Sequence, residues 1–87
     1  MGMNRDIEMA SLEQAVEMFK ENFATKYPEA QFLIDGEGYK DEDLDLNIYV
    51  DGDEVEIGIY AAEISALVQQ QTCYFILPFV LPRDQYP

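Results

Sequence analysis

Histidine and tryptophan are missing from this 87-residue chain, cysteine occurs once, and only five residues are Lys or Arg. Each shortage closes off a class of function. Without His there is no imidazole to act as a general base or metal ligand, and one Cys supports neither an intrachain disulfide nor a Cys-rich zinc site. Five cations against 18 Asp and Glu leave a formal charge of −13, which repels phosphate backbones and argues against direct nucleic-acid binding. No run approaches the ~20 consecutive apolar residues that cross a bilayer. The opening Met1-Gly2-Met3-Asn4-Arg5-Asp6 leads into no apolar stretch of the signal-peptide kind. These absences suggest a cytoplasmic protein that needs no cofactor and touches no membrane.

What is present suffices for a fold. Apolar residues make up 48% of the chain, more than an acidic disordered segment carries. The length fits one small domain over 1–87, with 1–10 and 82–87 expected as flexible termini. Cys73 sits in the apolar run Cys73-Tyr74-Phe75-Ile76-Leu77, with no basic neighbour to favour a thiolate, and reads as a small buried hydrophobe.

Periodicity then orders the elements. Leu12, Ala15, Val16, Phe19 and Phe23 recur at helical spacing, Ser11 and Gln14 form a capping-box pair, and Pro28 limits the far end. A helix of about four turns is predicted there. Residues 30–34 suggest a short strand. From Asp43 to Val50 polar and apolar residues alternate strictly, as they do again through Val55, Ile57 and Ile59. Asp51-Gly52 between these runs has the composition of a tight hairpin turn. The alternation therefore predicts a hairpin with Leu44, Leu46, Ile48, Val55, Ile57 and Ile59 beneath and carboxylates on the wet side. A second helix is expected from Tyr60 to about Gln71, followed by an apolar tail in which Pro78 permits only an edge strand. The expected class is α+β: two helices on one face of a small antiparallel sheet of three to four strands, in the order α-β-β-β-α with a C-terminal β as the optional fourth.

Between Asp35 and Glu56 lie 10 of the 18 carboxylates. A solvated face and loop is the plain reading of such density. Two resemblances offer metal chemistry instead. The segment Asp43-Leu44-Asp45-Leu46-Asn47-Ile48-Tyr49-Val50-Asp51-Gly52-Asp53-Glu54 resembles an EF-hand loop in its oxygen donors, with Ile48 where that family carries glycine. Asp43-Leu44-Asp45 also resembles the D-x-D strand of polymerase-beta-type nucleotidyltransferases. That likeness implies a divalent-metal-dependent enzyme with Asp43 and Asp45 as ligands and Glu56 as a third.

A third reading is a non-enzymatic interaction module. Aromatic rings beside carboxylates suit a docking surface for a basic protein partner, the rings supplying contact area and the charges selecting the partner. Tyr39, Asp43, Asp45, Tyr49, Glu54 and Glu56 are its expected contact residues, on the acidic hairpin face and the loop before it. One variant has the acidic face imitating a phosphate backbone in a basic groove. Tyr74, Phe75 and Phe79 in the tail provide a route to a homodimer, or else fold back as core. The expected function is the interaction module, with the nucleotidyltransferase-like enzyme as the alternative.

Overall fold

The computed structural model describes residues 11–37 and 43–87. Helix α1 spans Leu12–Ala24, strand β1 Gln31–Glu37, strand β2 Leu44–Tyr49, helix α2 Glu54–Thr72 and strand β3 Ile76–Leu81, with a 3₁₀ turn at Arg83–Gln85. The class is α+β, with two helices and three strands in the order α-β-β-α-β. Both residues of the Ser11 capping box make their bonds: Ser11 Oγ accepts from Gln14 N–H at 3.1 Å, and Gln14 Oε1 accepts from Ser11 N–H at 2.9 Å. The apolar stripe read from the sequence is the buried one, with Ala15, Val16, Phe19 and Phe23 all inside.

The expected hairpin over 43–59 does not form. Residues 54–59 are the first turns of α2, which begins six residues before the predicted Tyr60. Asp53 decides this locally, because its Oδ1 accepts from the N–H groups of Val55 at 2.9 Å and Glu56 at 3.2 Å, satisfying donors that only a helix start leaves open. The helix splits the three apolar residues that a strand would have aligned. Ile57 turns into the core and continues as Ala61, Ile64 and Val68, while Val55 and Ile59 point outward. Gly52 serves the strand-to-helix loop at a φ of +142°, a backbone angle that L side chains rarely adopt.

The third strand comes from the tail. The sheet order is β1-β2-β3; β1 runs antiparallel to β2, while β3 runs parallel to it, so the sheet is mixed rather than wholly antiparallel. A parallel neighbour requires a long crossover, and α2 is that crossover. β3 is an edge strand, as Pro78 requires. Phe75 and Leu81 direct their carbonyls toward the β2 side, where they accept from the N–H groups of Asp43 and Val50 at 2.7 and 2.9 Å. By alternation Pro78 turns its donorless nitrogen to the open edge, where it leaves no ladder bond unmade and discourages a further strand.

Both helices lie on one face of the sheet. Leu44, Leu46, Ile48 and Ile76 join the helix residues in one buried cluster, and Phe32, Tyr60, Tyr74 and Val80 pack against it. Phe23 is its aromatic centre, with the rings of Phe19, Tyr27, Phe32 and Tyr60 at 5.1 to 6.0 Å. Ser65 Oγ joins α2 to β3 by donating to the Ile76 carbonyl at 2.6 Å, and the buried Thr72 hydroxyl donates back within α2 to Val68 O at 2.7 Å. Cys73, expected as core, instead caps α2 from an exposed position at a φ of +69°, its N–H donating to Gln69 O. Such a residue ends a helix by making the left-handed turn.

Candidate functional site

The face of the sheet opposite the helices carries the candidate site. Side chains alternate along each strand, so if Leu44, Leu46 and Ile48 point to the helices, Asp45, Asn47 and Tyr49 point away. The pairing register extends this set sideways. Leu33 stands beside Asn47 in β1, and Leu77, Phe79 and Leu81 stand beside Asp45, Asn47 and Tyr49 in β3. Leu33 is 40% exposed and Phe79 41%. Tyr49 is buried despite facing away from the helices, because the Tyr86 ring meets it at 5.3 Å after the 3₁₀ turn. Arg83 N–H donates to Asp51 Oδ1 at 3.1 Å, so residues 82–87 are tied onto this end of the sheet.

The expected contact residues divide between two sides of the molecule. Asp43, Asp45 and Tyr49 share the outward side of β2 with Phe79 of β3, whereas Glu54 and Glu56 are exposed in the first turn of α2. Tyr39 lies outside the described residues, as do residues 1–10. Asp43 is exposed, and its Oδ2 accepts from Phe75 N–H at 2.8 Å, which clamps the start of β2 to the start of β3. Asp45, expected to face water, is 4% exposed. Of the tail aromatics, Tyr74 packs toward the core and Phe79 faces outward, so the three residues offered for a dimer do not form one patch.

The metal readings find a different geometry from the one they require. An EF-hand needs residues 43–54 to wrap one ion, but Leu44–Tyr49 is an extended central strand. The D-x-D pair has the right strand alternation, yet Glu56 is on a helix on the other side of the sheet rather than on the next strand. Among the described residues no group of three or more His, Cys, Asp or Glu is placed to hold a metal ion. A groove of about 540 Å³ along α1 is lined by Glu13, Gln14, Glu17, Met18 and Glu21, which lack the convergence of acid, base and cation that a reaction site shows.

Charge surrounds the uncovered face unevenly. Asp35 and Asp43 stand toward one end of the sheet, and Asp51 and Asp84 toward the other. Among the described cations, Lys20 pairs with Glu17 at 3.4 Å and Lys26 lies over the Tyr60 ring at 4.9 Å, both on the helix side. Of the described cations, Arg83 alone stands near the outward face. The sequence marks the carboxylates and, among the interface aromatics, Tyr86, but not Leu33 or Leu81; a signal lies in the apolar residues at odd positions of the tail, Leu77, Phe79 and Leu81.

No helix among the described residues is long and apolar enough to cross a membrane. Comparison with protein-family models, curated proteins and solved structures finds no match.

Proposed function

We propose that the protein is a non-enzymatic interaction module of the cytoplasm that binds a protein partner on the outward face of its sheet. The observation that carries this reading is the exposed apolar surface of Leu33 and Phe79, continued by the half-buried Leu81, left uncovered by either helix and bordered by carboxylates. Apolar area supplies contact energy, and an acidic rim selects a partner that presents Lys or Arg around its own apolar residues. A second copy would set its own Asp35, Asp43, Asp51 and Asp84 against the same carboxylates, on chains that each carry a net charge of −13, so charge favours a basic partner over self-pairing at this face. The single exposed Cys73 suits a reducing compartment.

The test uses an amphipathic Lys/Leu peptide as probe, followed by backbone amide NMR. Shifts should centre on Leu33, Phe79 and Leu81 and diminish with added salt. Phe79→Ser and Leu33→Asn should each weaken binding by about tenfold, the effect of losing an apolar anchor. A pentalysine peptide that shifts the same amides equally well, or shifts spread over the carboxylates of α1, would refute the reading, because attraction would then be charge without a site.

A further inference from the structure

Helix α2 is apolar on two faces, and only one of them is used. Its inner face is buried against the sheet and α1, yet Val55 is 71% exposed and Ile59 57%, with Ala62 and Ala66 exposed beyond them. A helix that is apolar all round normally lies inside an assembly. The outer residues 55, 59, 62, 66, 69 and 73 follow spacings of 4, 3, 4, 3 and 4, the repeat of a coiled-coil seam. Read as heptads, Val55 is a d position, Ile59 a, Ala62 d, Ala66 a and Gln69 d, and the C-cap Cys73, just past the last helical residue, stands at the level of the next a.

We propose that α2 pairs antiparallel with α2 of a second copy through Val55, Ile59, Ala62, Ala66, Gln69 and Cys73. The seam is symmetric about residue 64, so Val55 meets the second copy's Cys73, Ile59 meets its Gln69, and Ala62 meets its Ala66. Every layer then joins an a position to a d position, which is antiparallel registry. Charge along the helix selects the same direction. Asp53, Glu54 and Glu56 crowd the first turn, while Ala66 to Cys73 carries no charge at all. Antiparallel pairing lays each acidic turn beside an uncharged Gln69-Gln70-Gln71 turn and sets the positive end of each helix dipole beside the negative end of the other. Parallel pairing would stack six carboxylates together. Toward the sheet the seam is flanked by Gly58, where a Cβ would meet no atom within 4 Å, which leaves room for close approach of the backbones. On the other flank Glu63 faces its own copy across the axis, one repulsive pair that salt screens. A 19-residue helix is only about 28 Å long. A seam of that length falls short of the ~800 Å² per partner of a standard interface, so the dimer is weak and reversible.

The seam and the sheet face are separate surfaces, and salt distinguishes them: self-pairing strengthens as salt rises, whereas docking of a basic partner weakens. The decisive experiment is a cross-link. Val55 and Cys73 lie at opposite ends of α2, so a Val55→Cys variant cannot close a disulfide within one chain. Under mild oxidation it should give a covalent dimer joined between position 55 of one chain and Cys73 of the other, as read by peptide mass spectrometry. Wild type, and Val55→Cys combined with Cys73→Ser, should give several-fold less covalent dimer. In sedimentation velocity up to about millimolar chain, wild type should show a concentration-dependent mass, and Ile59→Gln, at an exposed position with good helix propensity, should abolish it. A monomer at every concentration, or 55–55 or 73–73 links equal to the 55–73 link, would overturn the proposal. Circular dichroism of each variant establishes that the fold is intact.

Discussion

Asp53 gives the sharpest test of why this chain folds as it does, because one oxygen separates a helix from the strand that the alternation of residues 54–59 suggests. Replacing Asp53 by Ala removes the acceptor for two amides, at 2.9 and 3.2 Å, and leaves both N–H groups without a protein partner. Loss of such a cap costs about 0.5 to 2 kcal/mol, and two bonds on one oxygen place this site at about 1 to 1.5 kcal/mol. In a domain of this size that corresponds to a melting point lower by roughly 4 to 10 °C. Asn keeps the acceptor and the extended N-cap conformation, losing only the charge at the helix start, so Asp53→Asn should cost at most about 0.5 kcal/mol. The neighbouring Glu54 and Glu56 already supply negative charge to that turn. Urea titration followed by far-UV circular dichroism gives both values, with the denaturant slope held in common. An unchanged midpoint for Asp53→Ala would refute the cap as the local determinant of α2. Equal losses for Ala and Asn would mean that charge, and not the hydrogen bonds, holds the helix start.

Two further substitutions probe how α2 is closed and fastened. Cys73→Gly should raise stability by about 0.5 to 1 kcal/mol, since a φ of +69° burdens a residue with a Cβ more than Gly's extra chain entropy offsets. Cys73→Ala should leave the melting point unchanged, and a gain from Ala would show that the thiol rather than the backbone is the cause. Ser65→Ala removes the 2.6 Å bond to the Ile76 carbonyl and should cost about 1 to 2 kcal/mol in chemical denaturation. A loss below about 0.5 kcal/mol would mean that this buried carbonyl is satisfied without the hydroxyl.

Parts of this molecule were legible in its sequence, and the misreading has a physical cause. Ser11, Gln14 and the stripe from Leu12 to Phe23 announced α1 because cap and periodicity agreed. Leu44 to Val50 announced a strand, and Pro78 an edge. Residues 54–59 conflicted: Val55, Ile57 and Ile59 alternate like a strand, yet Ile57, Ala61, Ile64 and Val68 carry a helical period through the same stretch. The cap pattern of Asp53 with Glu56 three residues later was the signal that should have decided between them. Once the helix forms, β2 lacks a hairpin partner on that side, and the tail takes its place in parallel. Parallel pairing across a 19-residue helix leaves no local trace in composition. The candidate face follows the same division. Its β2 residues were found through alternation within one strand, whereas Leu33 and Phe79 become neighbours of Asn47 only through the register of the folded sheet.

The strand order has a consequence for the growing polypeptide. β2 is the middle strand, flanked by a segment made before it and by one made only after α2 is complete. Until residues 76–81 leave the ribosome, one long side of β2 offers its amides and carbonyls to any extended chain nearby. A transcript truncated within α2 would therefore yield a product with an unsealed strand, prone to aggregation and a natural client for chaperones. The last few residues of the fold act as its lock.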